Sequence, residues 1–347
     1  YAKEGEKSTI FMFPGQGAQY VNMGLDLYRT EPVFRQETDR CFEILKPLME
    51  QDIKDVLYPS YRSDGSNGSY ISIDQTEVTQ PLIFVIEYAL AKLMMNWGIE
   101  PYAMIGHSIG EYTAACLSGV FSLEDALKLV VSRGKLMQKM PAGAMIGVPL
   151  PEKELVTLLD TSLSLAAVNS STDCVVSGPR GNLESFENRL REKGIKCRYL
   201  HTSHAFHSMM MEPILNEFEE LLGTVKLNTP QIPYISNVTG QWITVQDALD
   251  PGYWSRHMIR TVRFADGIDR LMKAPNPIFI VIGPGRHLCT LLERHPAEEP
   301  GPQAINLIRP PQQSVPDDYY LLSKIGHLWL HAVHIDGEKF YPENKNC

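Results

Sequence analysis

The stretch Pro101-Tyr-Ala-Met-Ile-Gly-His-Ser-Ile-Gly110 joins a short apolar run to a segment with helical periodicity. The apolar residues predict a strand over 101–106, and the glycine at its end predicts a sharp turn into a helix. The turn, Gly106-His107-Ser108-Ile109-Gly110, matches the pattern GxSxG, in which small residues on either side let a serine Oγ stand above the end of the strand. Ser108 is therefore the candidate nucleophile, and the adjacent His107 is expected to pack elsewhere or to face solvent.

Strand and helix signals alternate outward from this turn. An apolar run at 9–13 predicts a buried strand that ends at Pro14-Gly15-Gln16-Gly17. A stretch rich in serine, glycine and aspartate, 61–72, predicts a surface loop. Helical periodicity is found over residues 32–57, 81–97, 111–118 and 123–139. This alternation is typical of a parallel α/β sheet.

The middle of the chain has a different order of elements. Short strands are predicted at 144–149, 164–169, 174–178 and 197–200, with helices at 152–159 and 182–194. This β-α-β-β-α-β order predicts a small split-βαβ, ferredoxin-like insert. The larger fold resumes after it, with a helix at 209–222, strands near 233–236 and 278–282, and a tight turn at Gly283-Pro284-Gly285 that leads into a helix.

These signals together predict an α/β fold of two subdomains. The large subdomain is α/β-hydrolase-like, has a parallel sheet, and takes residues 1–143 and 204–309. The ferredoxin-like small subdomain takes residues 144–203. The composition changes near Arg309-Pro310-Pro311, so residues 310–347 are interpreted as a tail with one amphipathic segment at 319–331.

Composition excludes several classes of protein. The 347 residues are 44% hydrophobic and 21% charged, which is ordinary for a globular protein and rules out wholesale disorder. The net charge of −9, with no dominant basic block, argues against nucleic-acid binding. The sequence contains no run of about 18 apolar residues, so no membrane-spanning helix is predicted. The first residues contain neither an initiator Met nor an apolar signal core, and they suggest the edge of a larger polypeptide.

The six cysteines are far apart and form no CxxC pair. In a chain long enough to build a full core, this favours reduced thiols over disulfides or a thiolate zinc site. A cytoplasmic location is the expectation that follows.

A nucleophilic serine needs a general base and an oxyanion hole. Three histidines at a spacing of three, His201, His204 and His207, are the candidate bases. A metal site is the alternative interpretation, but the cluster contains no carboxylate and the chain has no HExxH motif. The residues alone leave open which histidine is the base. The amide of Ile109 is one natural oxyanion donor, and the Gly15-Gln16-Gly17 turn is the candidate for a second.

With these pieces in place, the sequence resembles the malonyl-CoA:acyl-carrier-protein transacylase family, and more closely the acyltransferase domain of a modular polyketide synthase. The resemblance covers nearly the whole chain and rests on six blocks in the family's order. The blocks are Phe13-Pro-Gly-Gln-Gly-Ala-Gln19, Thr79-Gln80-Pro81, Gly106-His-Ser-Ile-Gly-Glu111, Ser132-Arg133-Gly134 with Met137-Gln138, His204-Ala205-Phe206-His207 and Gly283-Pro284-Gly285.

The resemblance implies a role for eight residues of this chain. Ser108 is the acylated position, His207 the catalytic base and Arg133 the residue that holds the substrate's free carboxylate. The other implied roles are the oxyanion-hole amides of Gln16 and Ile109, the pocket residue Gln80, and the selectivity positions His204 and Phe206. A guanidinium suits a malonyl carboxylate because it binds both oxygens at once. A ring at Phe206 is expected to disfavour donors with an α-methyl group.

The implied function is an acyltransferase of polyketide biosynthesis that works by a ping-pong mechanism. A malonyl-type unit passes from malonyl-CoA through an acyl-serine to the phosphopantetheine of an acyl carrier protein. Neither a metal nor a redox cofactor is expected. The tail at 310–347 resembles the linker that follows integrated acyltransferase domains and packs back towards the preceding ketosynthase. The expected partners are therefore the carrier protein and the flanking ketosynthase.

Three alternatives stay open at this point. The first is an α-hydroxy or α-amino malonyl unit delivered on a carrier protein, and after His207 the chain has Ser208-Met209-Met210 where many malonyl-type members have proline. The second is an acyl hydrolase, in which Arg133 and the tetrapeptide at 204–207 would have no role. The third is a degenerate docking domain, against which the presence of Ser108, His207 and Arg133 argues.

Overall fold

The computed structural model describes residues 7–59, 71–296 and 302–340. Its strands are β1 (Ser8–Phe13), β2 (Ala103–Gly106), β3 (Ala144–Val148), β4 (Ser164–Ser170), β5 (Asp173–Gly178), β6 (Arg198–Tyr199), β7 (Tyr234–Ile235), β8 (Pro277–Val281) and β9 (Gln303–Asn306). Most of the predicted loop at 61–72 lies outside the described residues.

The helices of the first half of the chain are α1 (Leu25–Thr30), α2 (Pro32–Leu45), α3 (Ile53–Leu57), α4 (Thr76–Asn96), α5 (Gly110–Leu117), α6 (Leu123–Gln138) and α7 (Glu152–Leu155). Those of the second half are α8 (Arg180–Glu192), α9 (Leu215–Leu222), α10 (Val245–Ala248), α11 (Pro251–Arg256), α12 (Phe264–Leu271), α13 (His287–Glu293), α14 (Asp317–Leu330) and α15 (Gly337–Phe340).

A five-stranded parallel sheet organises the large subdomain. Its strand order is β7-β2-β1-β8-β9, so β1 lies at the centre, and every residue of β1 is buried. Burial on both faces explains why β1 and β8 are continuous apolar runs rather than alternating ones. In a parallel sheet the carboxyl ends of all strands meet at one edge, and the turn after β2 that carries Ser108 lies at this edge.

The small subdomain has a separate four-stranded antiparallel sheet with the order β4-β5-β3-β6. Its elements follow the chain as β3, α7, β4, β5, α8 and β6, and its own core includes Ile146, Val176 and Phe186. The predicted fold class, a parallel α/β sheet with a ferredoxin-like insert, is confirmed.

Several predicted boundaries are wrong for physical reasons. The helical stretch at 32–57 is broken after α2 by Pro47, which has no N–H to donate, and α3 starts afresh where the Asp52 carboxylate accepts from the Lys54 N–H at 3.0 Å. Pro213 likewise makes the start of the predicted helix at 209–222 a 3₁₀ turn, Met209–Ile214, ahead of α9. Helix α7 stops at Leu155, short of the predicted 159.

Helix α4 starts five residues before the predicted position, so Pro81 lies inside the helix. The earlier start is capped from another element, because the Gln138 side chain accepts from the Thr76 N–H at 2.8 Å. By length and composition α4 is apolar enough to cross a membrane, yet 89% of its most apolar window is buried inside the protein. It packs as a core helix between α2 and α6.

Backbone hydrogen bonds join the two subdomains beside β4. The Val168 N–H donates to the Val262 carbonyl and the Val262 N–H donates to the Ala166 carbonyl, both at 2.9 Å. An ion pair between Arg263 and Glu152 at 2.6 Å adds a side-chain link. The segment at 261–263 therefore fixes the small sheet against the large subdomain.

The tail packs back onto the large subdomain. The carboxylates of Asp26 and Asp317 each accept from the other residue's backbone N–H, at 3.1 and 3.3 Å, so α1 and α14 cap each other. Further along, the Asp336 N–H donates to the Trp97 carbonyl at 2.8 Å. The predicted amphipathic segment is helix α14, which leaves Tyr319, Leu322, Trp329 and Leu330 exposed.

Candidate active site

The turn between β2 and α5 brings Ser108 to the carboxyl edge of the large sheet. Ser108 has a left-handed backbone with φ of 54°, which L-residues other than glycine rarely adopt. Both motif glycines are required by close approach. A Cβ on Gly106 would lie 2.1 Å from the Glu111 nitrogen, and one on Gly110 would lie 2.3 Å from the Phe13 oxygen. The GxSxG spacing therefore reflects tight contact between β2, α5 and β1.

The imidazole of His207 lies against the serine. Its Nε2 is 2.7 Å from Ser108 Oγ, and its Nδ1 is 3.0 Å from the Arg260 carbonyl oxygen. The carbonyl can only accept, so the Nδ1–H donates to it and leaves Nε2 free to accept the serine proton. Burial, together with the nearby His257 and Arg133, holds the pKa of His207 well below its usual 6.5. The ring is therefore neutral at neutral pH.

Of the three candidate histidines, the structure brings only His207 to the serine. His201 is exposed to solvent. His204 is buried, but its Nδ1 lies 2.7 Å from Ser203 Oγ and its Nε2 lies 3.1 Å from the Met140 carbonyl. Within 7–59, 71–296 and 302–340, no group of three or more histidines, cysteines or carboxylates is arranged to hold a metal ion.

Arg133 lies beneath the serine and is 1% exposed. Its Nη1 donates to Gln80 Oε1 at 2.7 Å, and its Nη2 lies 3.4 Å from Ser108 Oγ. The guanidinium also stands over the Tyr112 ring, 5.4 Å from its centre. Burial lowers the pKa of Arg133, but a guanidinium stays charged. Among the described residues no carboxylate lies within ion-pair distance of it.

The turn that contains Gln16 packs directly against the Ser108 turn at 106–110, which we call the elbow. A Cβ on Gly15 would lie 2.9 Å from the His107 carbonyl oxygen, so the two backbones touch. In the described part of the chain the backbone amides of Gln16 and Ile109 have no hydrogen-bond partner. Ile109 precedes the first residue of α5, where the amides of a helix N-terminus are free to bind an anion.

His107 turns away from the reaction centre, as the sequence predicts. Its Nε2 lies 2.9 Å from Asn169 Oδ1 on β4, and its ring packs on Phe264 with the centres 5.4 Å apart. Burial lowers the pKa of His107 to about 4. His107 thus connects the elbow to the small subdomain.

Phe206 is 8% exposed, and its ring stacks on His204 at 6.1 Å. The neighbouring Ser208 is already engaged, because its hydroxyl donates to the Ala205 carbonyl at 2.6 Å and accepts from the Met210 N–H at 3.2 Å. The Ser208 hydroxyl proton and both His204 ring nitrogens are therefore already engaged by the protein itself.

A cleft of about 690 Å³ opens between the small sheet and α13. Its lining includes the cations Lys196, Arg198 and Arg294 and one carboxylate, Asp173. Ser170, also in the lining, follows Asn169, the residue in contact with His107. The cleft thus starts close to the elbow and carries a net positive charge.

Two groups at the site have no signal in the sequence motifs. The Arg260 carbonyl belongs to the backbone, which every residue has, so no residue type could reveal it. Asn237 lies in the loop after β7, and its side chain contacts the backbone of the elbow on both sides of His107. Pairing of β7 with β2 places the loop that starts after β7 beside the elbow, and the sequence analysis predicts both strands but not their pairing.

A parallel α/β sheet with a ferredoxin-like insert, and a serine–histidine pair above a buried arginine, define the class of acyl transferases. Residues 10–307 match the family described as Acyl transferase domain, and the chain belongs to that family. The resemblance seen in the sequence motifs is confirmed.

The relatives are polyketide synthases. The chain is 38% identical over 328 residues to a phenolphthiocerol/phthiocerol polyketide synthase of Mycobacterium tuberculosis, a match that covers 94% of this chain and 22% of that protein. It is 34% identical over 345 residues to the spectinabilin polyketide synthase system protein NorB of Streptomyces orinoci, covering 98% and 16%. The chain thus spans about a fifth of the length of these relatives.

Solved structures agree with this assignment. The acyl transferase domain of ZmaA is 43% identical, with a TM-score of 0.91 over 99% of this chain and 80% of that one. The malonyl CoA-acyl carrier protein transacylase of Clostridium perfringens is 25% identical, with a TM-score of 0.79 over 94% and 100%. The chain is therefore an acyltransferase domain, of a kind found in large synthases and also as separate transacylases.

Proposed function

We propose that the protein transfers a malonyl unit from a thioester donor, through an ester on Ser108, to the phosphopantetheine thiol of an acyl carrier protein. One observation carries the choice of donor: the buried guanidinium of Arg133 has no carboxylate partner in the described chain and lies 3.4 Å from Ser108 Oγ. An unpaired buried charge is costly. A substrate carboxylate would satisfy it, so a dicarboxylic donor fits this site better than a neutral one.

The loading half-reaction follows from the contacts of His207. Its Nε2 takes the Ser108 proton as the oxygen attacks the thioester carbonyl, and the amides of Gln16 and Ile109 stabilise the oxyanion. The carbon–sulfur bond then breaks, and His207 gives its proton to the leaving thiolate. The Arg260 carbonyl stabilises the imidazolium between these two steps.

The transfer half-reaction reverses the same proton path. His207 takes the proton of the carrier protein's thiol, and the thiolate attacks the malonyl ester. The ester bond breaks, and Ser108 recovers its proton from His207. The site therefore uses one base in both halves, which is the pattern of a ping-pong transferase.

The surroundings of Phe206 support malonyl over a substituted malonyl donor. The ring is expected to disfavour an α-methyl group by about 10–200-fold, the usual scale for one methylene. An α-hydroxyl or α-amino group would need a polar partner, and both Ser208 and His204 are already hydrogen-bonded. The acyl transferase domain of SpnD, 39% identical to this chain, is known in complex with 2-(pent-4-yn-1-yl)malonyl, a malonyl with a substituent on its α-carbon. That complex supports a donor with a free carboxylate and does not support the preference at the α-carbon, which rests on Phe206 and its surroundings alone.

The partners proposed are a carrier protein and the ketosynthase of the same synthase, because the relatives are large multidomain synthases. Coenzyme A and phosphopantetheine share phosphate groups, which suit the positive cleft at Lys196, Arg198 and Arg294. A cytoplasmic location is part of the proposal, and the five described cysteines, all unpaired, are consistent with a reducing compartment.

The test is the intact mass of the protein after exposure to malonyl-CoA, followed by addition of phosphopantetheinylated carrier protein. A stable gain of one malonyl group that moves to the carrier supports the proposal, and Ser108→Ala should gain no mass. Rapid release of free malonate with no transfer would indicate a hydrolase. Absence of a mass gain from any donor would indicate a docking domain. A donor panel that also offers hydroxymalonyl and aminomalonyl carrier proteins decides the α-substituent.

A further inference from the structure

The side chain of Asn237 bridges the two peptide groups that flank His107. Its Oδ1 accepts from the Ser108 N–H at 2.7 Å, and its Nδ2 donates to the Gly106 carbonyl at 2.8 Å. Asn237 is 2% exposed, so these contacts are shielded from water. Only a side chain with an acceptor and a donor on one carbon makes both bonds, and among the charged and polar residues the neutral amide fits.

The backbone of Asn237 is itself fixed by two neighbours, Glu111 and Arg263. Its N–H donates to Glu111 Oε2 at 2.7 Å, and its carbonyl accepts from the Arg263 N–H at 2.8 Å. The Glu111 carboxylate is fully buried and also accepts from the Tyr253 hydroxyl. The backbone of Asn237 is therefore fixed on both sides, which positions its side-chain amide beside the elbow.

The elbow needs such support because the Ser108 backbone is left-handed. This conformation costs an L-residue about 1–2 kcal/mol and persists only when the surroundings hold it. The hydrogen bond to Asn237 also occupies the Ser108 N–H. The oxyanion donors are then limited to amides that are free, and those of Gln16 and Ile109 are free in the described chain.

We propose that Asn237 is a positioning residue for acylation: it fixes the left-handed backbone that aims Ser108 Oγ at His207, and it removes the Ser108 N–H from the oxyanion hole. This inference rests on the proposed role of Ser108 as the acylated residue. If Asn237 had a purely structural role, its replacement would lower the stability of the protein without changing the reactivity of the folded form.

The test compares Asn237→Ala and Asn237→Asp with wild type. The first-order rate of malonyl-enzyme formation from malonyl-CoA is measured by intact mass spectrometry of quenched samples. The free energy of unfolding is measured by urea titration. In Asn237→Ala the rate should fall by about 10²-fold, the scale for misplacing a reacting group, while the malonyl-CoA concentration for half-maximal rate changes little.

The matched control is Asn306→Ala, because Asn306 is also buried and bonded on both sides, to Ile308 and Tyr320, far from Ser108 in sequence. It should lose stability and keep its rate.

Asn237→Asp supplies a readout that a structural role would not move. A carboxylate still accepts from the Ser108 N–H but has no proton for the Gly106 carbonyl, whereas a protonated carboxyl has one. The ratio of its rate to that of wild type should rise as the pH falls, and the ratio for Asn237→Ala should stay level. The ionisable groups around this position are Glu111 of α5, His107 and His207 beside Ser108, Tyr253 of α11 and His257 just after it, and Arg263 ahead of α12. All are shared with wild type, so their titration largely cancels in the ratio.

The outcomes separate the two proposals. If wild type forms no malonyl-enzyme, the proposed function fails. If wild type loads and folded Asn237→Ala loads within about twofold of it, the positioning role is overturned. If Asn237→Ala does not fold, Asn237→Asp decides, and a pH-independent ratio overturns the positioning role.

Discussion

At the scale of single residues, the two members of the proposed catalytic pair both have unusual backbone geometry. Ser108 and His207 have φ values of 54° and 53°, and both lie in loops between regular elements. The surrounding fold must hold two such residues at once to bring Oγ and Nε2 to 2.7 Å. Reactivity here depends on backbone conformation as much as on residue type.

The roles of His204 and His207 can be separated by substitution. His207→Ala should slow malonyl loading by about 10²–10⁴-fold, the usual range for a general base. His204→Ala should slow it much less, because both nitrogens of His204 bond to the protein and not to Ser108. Single-turnover loading rates measure both effects. A larger loss in His204→Ala would mean that the base is assigned to the wrong residue.

Arg133 should decide between charged and neutral donors. Arg133→Ala leaves a substrate carboxylate buried without a partner, which costs a few kcal/mol, so malonyl loading should fall by about 10²-fold or more. Acetyl loading never uses this contact and should change far less. Competition between malonyl-CoA and acetyl-CoA gives the ratio directly. Arg133→Lys is the matched control that keeps the charge but not the paired donors, and it should recover only part of the preference.

The pH dependence of loading follows from the low pKa of His207. Burial, then His257 and Arg133, disfavour the imidazolium, and the neutral ring is the form that accepts the serine proton. A lowered pKa keeps this form populated in acid, so kcat/KM for malonyl-CoA should stay level through neutral pH and fall to half only below 6.5. A midpoint above that value would contradict this environment for His207.

The reacting side chains can be predicted from the sequence because their chemistry restricts residue type. A nucleophile and a base call for serine and histidine, and the GxSxG spacing points to Ser108. The roles of His207 and Arg133 are expectations from the resemblance to the transacylase family, because the residues alone leave the choice of histidine open. The partners that hold them are harder to predict. Any residue has a carbonyl like that of Arg260, and Asn237 acts from a loop that is 129 residues from Ser108 along the chain.

At the scale of elements, strand and helix types follow from periodicity, whereas their ends depend on distant residues. Helix α4 begins at Thr76 because Gln138 of α6 caps it, and no local pattern contains that information. The sequence does not predict β9, since its four residues become a strand only by pairing with β8. The central strands β1 and β8 are predictable because they are buried on both faces and therefore continuously apolar.

The contact between α5 and β1 should tolerate no added atom. In Gly110→Ala the new methyl would meet the Phe13 carbonyl of the central strand, so the free energy of unfolding should fall by about 3 kcal/mol or more. Gly181→Ala is the control, because Gly181 lies in α8 with open space around its Cβ, and it should gain about 0.5 kcal/mol. Urea unfolding measures both. Similar values for the two variants would mean that β1 and α5 can separate.

At the scale of the whole molecule, charge is distributed unevenly. The chain carries −9 overall, yet the cleft between the small sheet and α13 presents Lys196, Arg198 and Arg294. Such a local reversal of sign attracts phosphate groups over a distance that salt shortens. A carrier protein that approaches the cleft would bring its phosphopantetheine into this field.

Charge reversal in this cleft should weaken binding of the carrier protein more than it slows the chemical steps. Arg198→Glu with Arg294→Glu should raise the KM for the carrier protein severalfold and flatten its dependence on salt, while kcat at saturation changes little. Arg191→Glu with Arg189→Glu, on the exposed side of α8, makes the same charge change outside the cleft lining and serves as the control. Equal effects of the two changes would indicate a response to net charge alone.

The unpaired guanidinium of Arg133 also bears on how long the protein lasts. Without substrate, the core contains a positive charge with no opposite charge beside it among the described residues, and the folded state bears that cost. In the proposed reaction, malonylation of Ser108 supplies the missing negative charge, and the unfolded chain gains nothing comparable from it. The loaded form should therefore melt at a higher temperature and resist proteases longer than the empty one.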